Sequence, residues 1–274
     1  MSIAPIITAK DSSFLSSYNT GLGNVLFQIA STYGLSKKTG KQLSFHNVVN
    51  YCNILKNRFN FNHFETILRK CMKVINMEKS IVIKEPDIIQ KYAPEILTKI
   101  NSITCPNTMI NIIGYLESIH YFIDYIEDIR ELFLPDQDSI SIIKQKYPIL
   151  FTDEETVSIH FRWHEYSYTF DINYYQEAIL YIKNKCTKKP YFLLFSDDLE
   201  KIPLEQLGLL KENIIIVKND YDYLDLWTMC YCKHHISSKS TFSFWGKTIL
   251  YREDSIVISP KKLNVDWYFD SIKL

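Results

Sequence analysis

Apolar positions along this chain fall into two periods. Leu26, Ala30 and Tyr33 recur at helical spacing and predict a helix over 24–38, with Asn24 as its cap. Residues 41–47 read as a strand, and 109–113 as another that ends at Gly114. The strongest helical pattern comes next: Ile119, Phe122, Ile126, Ile129 and Phe133 alternate spacings of three and four, then stop near Pro135. In the second half, strand-like runs at 156–161, 191–195, 213–217, 235–237 and 255–258 alternate with helical patterns at 172–186, 222–232 and 241–250. Residues 50–108 are mixed and give no clear parse. Strands alternating with helices predict an α/β fold of right-handed βαβ units, with parallel sheets and a site at the strands' C-terminal ends. The polar stretch 136–153 predicts a boundary between a domain at 1–150 and a domain at 151–274.

Composition narrows the picture. With 31 basic and 31 acidic side chains in 274 residues, the chain is formally neutral, which argues against a general nucleic-acid binder. Only seven residues are glycine, where ordinary usage near 7% would give roughly 19, so each glycine is worth reading. The one close pair is Gly21 and Gly23. No apolar run approaches the ~20 residues of a spanning helix, and no basic segment with an apolar core opens the chain. The expectation is therefore no transmembrane segment and no signal peptide, with peripheral membrane contact left open. Six scattered cysteines and the lack of an Asn-x-Ser/Thr sequon favour a reducing, cytoplasmic setting.

Several segments carry chemistry, each with a plainer alternative. Gly21-Leu-Gly23-Asn24 precedes a helix, as a phosphate-binding turn does, but lacks the third glycine of a dinucleotide fingerprint; a tight turn explains it too. His160-Phe-Arg162 ends a strand, and alternation puts His160 and Arg162 on one side. Arginine is scarce here, and at a strand end it suits a phosphate-rich ligand; an ion pair with Glu165 or Asp171 is the alternative. Ser196-Asp197-Asp198 follows a strand, to grip a ribose or base or simply to cap a helix. Asp220-Tyr-Asp222 matches the D-x-D pattern that holds a divalent metal, and Cys230, Cys232, His234 and His235 offer zinc ligands at unusual spacing. For both, an ordinary structural role is the stronger reading, and no metal site is expected. From Ser237 to Gly246, hydroxyls and N–H groups at a helix start could clasp a diphosphate, or only cap.

Taken in order, Gly21-Leu-Gly-Asn24, Gly114-Tyr-Leu-Glu-Ser, His160-x-Arg162, Phe195-Ser-Asp-Asp198, Cys232-Lys-His-His and Ser240-Thr-Phe-Ser-Phe-Trp245 resemble the motif series of glycosyltransferase family 11, the α-1,2-fucosyltransferases. The resemblance spans residues 19 to 262. It implies a GT-B fold, two Rossmann-like domains facing a cleft, with the acceptor on the N-terminal side and the nucleotide sugar on the C-terminal side. It further implies inverting transfer of fucose from GDP-fucose to a glycan hydroxyl, with no metal or other cofactor. Position by position, His160 and Arg162 would meet the donor diphosphate, and Ser240, Thr241 and the Phe242 N–H would bind phosphate. Asp225 would take guanine, Asp197 and Asp198 would lie near the nucleotide, and Gly21, Gly23 and Asn24 would face the donor from the first domain. The alternatives are the same fold with another nucleotide-sugar donor, or an inactive nucleotide- or glycan-binding homologue.

The chain departs from the family pattern at several places. Trp163, His164 and Glu165 stand where the family has Arg, Gly and Asp. Val25 replaces a glutamine, and Lys239 an asparagine. Glycosyl transfer builds negative charge on the departing diphosphate, and Arg162, His160 and the N–H groups of residues 240–242 are the expected stabilisers. An acceptor hydroxyl also needs a base, for which Glu117, Glu165 and Asp124 are candidates.

Overall fold

The computed structural model describes residues 1–5, 21–45, 48, 66–71, 73–86, 91–163, 170–261 and 271–274. The chain divides into two compact units, Met1–Leu134 and Pro135–Leu263, the second also taking in residues 271–274.

The first unit holds a parallel sheet in the order β2-β1-β4-β3, from β1 (Ser2–Pro5), β2 (Gln42–Leu43), β3 (Lys79–Lys84) and β4 (Thr108–Ile113). Central β4 is a run of Met, Ile and Asn that is buried almost throughout, as a strand covered on both faces should be. Helix α1 (Leu22–Thr39) starts two residues earlier than the pattern predicts, so Asn24 lies inside its first turn and Gly21 is the cap. A second helix, α2 (Pro94–Ser102), with proline in its first turn, and edge strand β3 come from the stretch that resisted parsing.

The predicted helix over 119–133 is not one helix. Residues Ile119–Tyr121 and Ile123–Tyr125 are 3₁₀ turns, and only α3 (Ile126–Leu132) is α-helical. The break follows from packing. A Cβ on Gly34 of α1 would collide with the Tyr121 carbonyl and Phe122 Cα, so the glycine lets the two backbones touch. Phe122 meanwhile sets its ring edge-to-face on Phe27, 5.8 Å between centroids.

The second unit begins earlier than 151. Asp136 caps α4 (Gln137–Lys146) by accepting the Ser139 N–H at 2.8 Å, and this helix packs against the helix Asp222–Cys230 further along. Polarity of the segment reflects a surface helix rather than a linker. The unit's six-stranded parallel sheet has the order β10-β9-β8-β5-β6-β7. Its strands are β5 (Thr156–Phe161), β6 (Tyr191–Ser196), β7 (Asn213–Ile216), β8 (His234–Ile236), β9 (Val257–Ser259) and β10 (Ile272–Lys273). Helices α5 (Ile172–Lys185), α6 (Asp222–Cys230) and α7 (Thr241–Thr248) connect them. Helix α5 turns Tyr174, Tyr175, Ala178, Ile179 and Ile182 onto the sheet, and each of the large ones contributes about 1.5–3 kcal/mol by leaving water. Among the described residues, no helix is long and apolar enough to cross a membrane.

Candidate active site

Strands β5 and β6 run side by side with Phe161 opposite Ser196. The next residue on each, Arg162 and Asp197, therefore emerge together at the sheet's C-terminal edge. Arg162 Nη1 lies 3.0 Å from Asp197 Oδ2, and Asp197 Oδ1 accepts the Trp163 N–H at 2.9 Å. One carboxylate thus fixes both the guanidinium and the backbone after it. The Arg162 side chain keeps 32% of its surface exposed against 15% for Asp197, so the cation remains reachable. Its partner here is Asp197, while Asp171 caps α5 and Glu165 lies outside the described residues.

His160 is buried beside this pair. Its Nδ1 meets Ser238 Oγ at 2.7 Å, its ring stacks on Phe242 with centroids 5.6 Å apart, and its carbonyl accepts the Tyr175 hydroxyl. Burial, reinforced by the neighbouring Arg162 charge, pushes the imidazole down to about 3. His160 is neutral at working pH, so of the two it is the hydrogen-bonding group.

The start of α7 is less open than the sequence suggests. Ser240 is the cap, and its Oγ accepts the Phe242 N–H at 3.2 Å while its own N–H bonds the Ser238 carbonyl at 2.9 Å. Two of the three N–H groups proposed for phosphate are thus engaged within the loop. Thr241 is the first helical residue and Ser243 Oγ ties back to the Ser238 and Ser240 carbonyls. Helix α6 packs on α7 closely enough that a Cβ on Gly246 would strike Met229. On α6, Asp225 is half-buried; burial pushes its carboxyl up to about 6, opposed by hydrogen bonds from Asn219. Asp198 pairs with Lys201 at 2.7 Å at the start of a 3₁₀ turn.

The geometry is that of an α/β site at the C-terminal strand ends, with an arginine and a capped helix start converging there. The family model described as glycosyl transferase family 11 matches residues 7–271. The chain belongs to glycosyltransferase family 11. Two Escherichia coli proteins are similar to this family 11 chain. One, named alpha-1,2-colitosyltransferase, is 24% identical, covering 88% of each chain; the other, named O-antigen biosynthesis glycosyltransferase WbnK, is 26% identical, covering 88% of this chain and 92% of that one. Among solved structures, the fucosyltransferase NodZ from Bradyrhizobium covers 91% of this chain and 92% of its own at 15% identity, with a TM-score of 0.50. NodZ co-crystallised with GDP gives 0.51. The fold is GT-B-like, and the protein is a glycosyltransferase.

Trp163, where family 11 usually has a second arginine, turns inward. Its ring lies 4.6 Å from Phe170 and packs against the core beneath α5. Its indole N–H is buried with no hydrogen-bond partner among the described residues. His164 and Glu165 lie outside those residues.

Gly21, Gly23 and Asn24 belong to the first unit. Gly21 has φ −64° and ψ 160°, and a Cβ there would meet nothing within 4 Å, so neither strain nor crowding demands a glycine. Of the base candidates, Asp124 is exposed and paired with Lys38 at 3.2 Å, Glu117 is buried, and Glu165 lies outside the described residues. The sequence reading missed Glu85. It directly follows β3, takes the Leu116 N–H on Oε2 at 3.0 Å, and burial pushes it up to about 7. Gly114 has no Cβ because Glu85 fills that space, so the Gly114–Ser118 motif is built around a buried carboxyl. The sequence carried no usable clue, because no strand was legible ahead of it in residues 50–108.

The cysteine–histidine run separates in space. Burial pushes the Cys230 and Cys232 thiols up, and they donate to the Trp245 and Thr228 carbonyls. His235 bonds Ser158 at 2.8 Å. His234 instead joins Glu155 and Cys186, whose ligand atoms all lie within 4.8 Å. However, His234 Nδ1 accepts the Ile256 N–H at 3.0 Å, so its proton sits on Nε2 and points at Glu155 Oε2, also 3.0 Å away. Lys233 Nζ reaches the same oxygen at 3.0 Å, and burial holds the Cys186 thiol up at about 11. This set holds itself together and offers a metal no lone pair on the ring. Asp220 and Asp222 are both exposed, at and before the start of α6.

Proposed function

We propose that this family 11 glycosyltransferase moves fucose from GDP-fucose to a glycan hydroxyl, forming an α-1,2 linkage with inversion and without a metal ion. The observation that carries the reading is the Arg162–Asp197 pair beside neutral His160 and the Ser240-capped helix. In such a transfer the acceptor oxygen bonds the anomeric carbon as the carbon–oxygen bond to the diphosphate breaks. The hydroxyl's proton passes to a base, and negative charge gathers on the diphosphate. Arg162 supplies a guanidinium, and Asp197 fixes its direction. In the tautomer where Ser238 donates to Nδ1, the His160 proton sits on Nε2, where it can meet a phosphate oxygen. Ser240, Thr241 and the positive end of α7 assist. Asp197 then serves the nucleotide through Arg162 and Asp225 meets the guanine, with Gly21, Gly23 and Asn24 as further donor-binding residues.

A second donor deserves a place beside fucose, because one relative is named an alpha-1,2-colitosyltransferase. The decisive experiment offers purified protein GDP-fucose, GDP-colitose, and UDP- and dTDP-sugars, each with a galactoside acceptor, with and without EDTA. Transfer from GDP-fucose that EDTA leaves unchanged is expected. Transfer only from GDP-colitose would replace the sugar and keep the nucleotide; loss of activity with EDTA, restored by a divalent ion, would sink the metal-free reading.

A further inference from the structure

Asn219 lies between β7 and α6, and both ends of its amide are held. Nδ2 donates to Asp225 Oδ1 at 2.9 Å and to Thr228 Oγ1 at 3.2 Å. Its backbone N–H gives Asp225 Oδ1 a second bond, at 3.2 Å. The amide oxygen accepts from Lys146 Nζ at 3.1 Å, and the Tyr147 hydroxyl shares its one proton between that oxygen and the Lys218 carbonyl, each at 3.4 Å; both groups lie at the end of α4. Those two groups also hold the neighbouring backbone: Lys146 bonds the Lys218 carbonyl, and Tyr147 accepts the Lys218 N–H at 3.2 Å. Thr228 Oγ1 donates its own proton to the Leu224 carbonyl, so it can only accept from Asn219. The amide therefore has acceptors at its nitrogen and donors at its oxygen, and a flip would break both sets.

The consequence falls on Asp225. Its Oδ1 receives two N–H groups, which uses both lone pairs, while Oδ2 takes no hydrogen bond from the described residues. A carboxylate meeting guanine usually offers an oxygen to each of N1–H and N2–H₂; here one oxygen is already engaged.

We infer that Asn219 is the positioning residue of base recognition, fixing Asp225 so that Oδ2 is presented to the donor edge of a purine base. The inference rests on the reading that Asp225 meets the guanine. Charged and titratable groups facing Asp225 are Asp222 on its own helix, which opposes its ionisation, Lys146 from α4, which favours it, and the Tyr147 phenol, itself raised by burial. Burial holds Asp225 up at about 6, and the Asn219 bonds are the largest influence in the other direction. Asn219 thus sets both where the carboxylate points and the pH at which it can accept.

The test is GDP-fucose binding by calorimetry from pH 5.0 to 8.5, a ligand whose phosphates do not titrate in that range. In the parent protein, affinity should fall as pH drops through about 6, as Asp225 takes up a proton. Asn219→Ala should move that midpoint upward by about one pH unit, so affinity drops about three-fold at pH 6.5, approaches a ten-fold loss at 5.0 and is nearly unchanged at 8.5. Tyr147→Phe, which removes one bond to the amide oxygen, should move it the same way by less, and covers the case where Asn219→Ala folds poorly. An unmoved midpoint in both variants, or an equal loss at every pH, overturns the inference. Asp225→Asn separates the failures: if it binds GDP-fucose like the parent at all pH values, the base reading falls and takes this inference with it.

Discussion

The two ends of the second unit's sheet use the same residue types to opposite effect. At the N-terminal end, Glu155 Oε2 receives both His234 and Lys233, each at 3.0 Å, and Thr187 takes the other oxygen. Histidine, carboxylate and cation there satisfy one another. At the C-terminal end the trio is His160, Asp197 and Arg162, but it is split: the histidine bonds Ser238, and the arginine bonds the carboxylate. His160 Nε2 takes no hydrogen bond among the described residues, and a third of Arg162 stays exposed. A histidine near a carboxylate and a cation is therefore no evidence of chemistry in itself. What matters is whether the partners close the set or orient one member outward, and here the open set lies where parallel strands end and helices begin.

Breaking the open set should give the largest effect. In the proposed role, Arg162→Ala takes a preorganised charge away from the departing diphosphate, which typically raises the barrier by about 2.7–4 kcal/mol, or about 10²–10³-fold in kcat/KM. Melting temperature should move far less than activity, because the pair is only half-buried and Asp197 keeps the Trp163 N–H when the arginine is gone. Asp197→Asn keeps the cation and loosens its aim, so a loss of about ten-fold is expected, one step of about 1.4 kcal/mol. Steady-state kinetics on both variants decides it; an Arg162→Ala enzyme within three-fold of the parent would remove the arginine from the chemistry.

The closed set should respond the other way round. Glu155→Ala leaves His234 and Lys233 facing an empty carboxylate position, and breaking a buried pair costs about 3–5 kcal/mol. Because Lys233 reaches solvent and His234 can stay neutral, the lower end of that range applies. Chemical denaturation should show the loss, while kcat/KM measured well below the melting temperature stays near the parent value. A matching loss of activity in fully folded enzyme would mean that the two ends communicate.

Some of this contrast was legible in the sequence. Strand β5 is read correctly at both ends, and helix α5 to within a residue, because apolar period and flanking polar residues agree there. The Arg162–Asp197 pair was recoverable too: each follows its strand by one position, and parallel pairing sets them abreast. The segment 119–133 was not, since a three-four alternation fits two 3₁₀ turns and a short helix as well as one helix. Only the approach of Gly34 decides between them. The state of His160 was hidden for a related reason. Its burial and its Ser238 partner, 78 positions away, depend on how β8 feeds α7, which no local pattern records.

The smallest expected effect tests Ser240, whose two roles coincide in one hydroxyl. Its Oγ accepts the Phe242 N–H and so caps α7, yet an oxygen that accepts keeps its own proton to donate. Ser240→Ala would confound the two, costing about 1 kcal/mol of stability through the cap alone. Glycine at a cap position costs only a few tenths of a kcal/mol, so Ser240→Gly removes the hydroxyl while nearly keeping the helix start. If the hydroxyl meets a donor phosphate, the variant should lose about ten-fold in GDP-fucose affinity, since a hydrogen bond to a charged group contributes about 1.5–3 kcal/mol. Unchanged affinity with a melting temperature within about two degrees would make Ser240 a cap and nothing more, leaving Arg162 and His160 to hold the diphosphate.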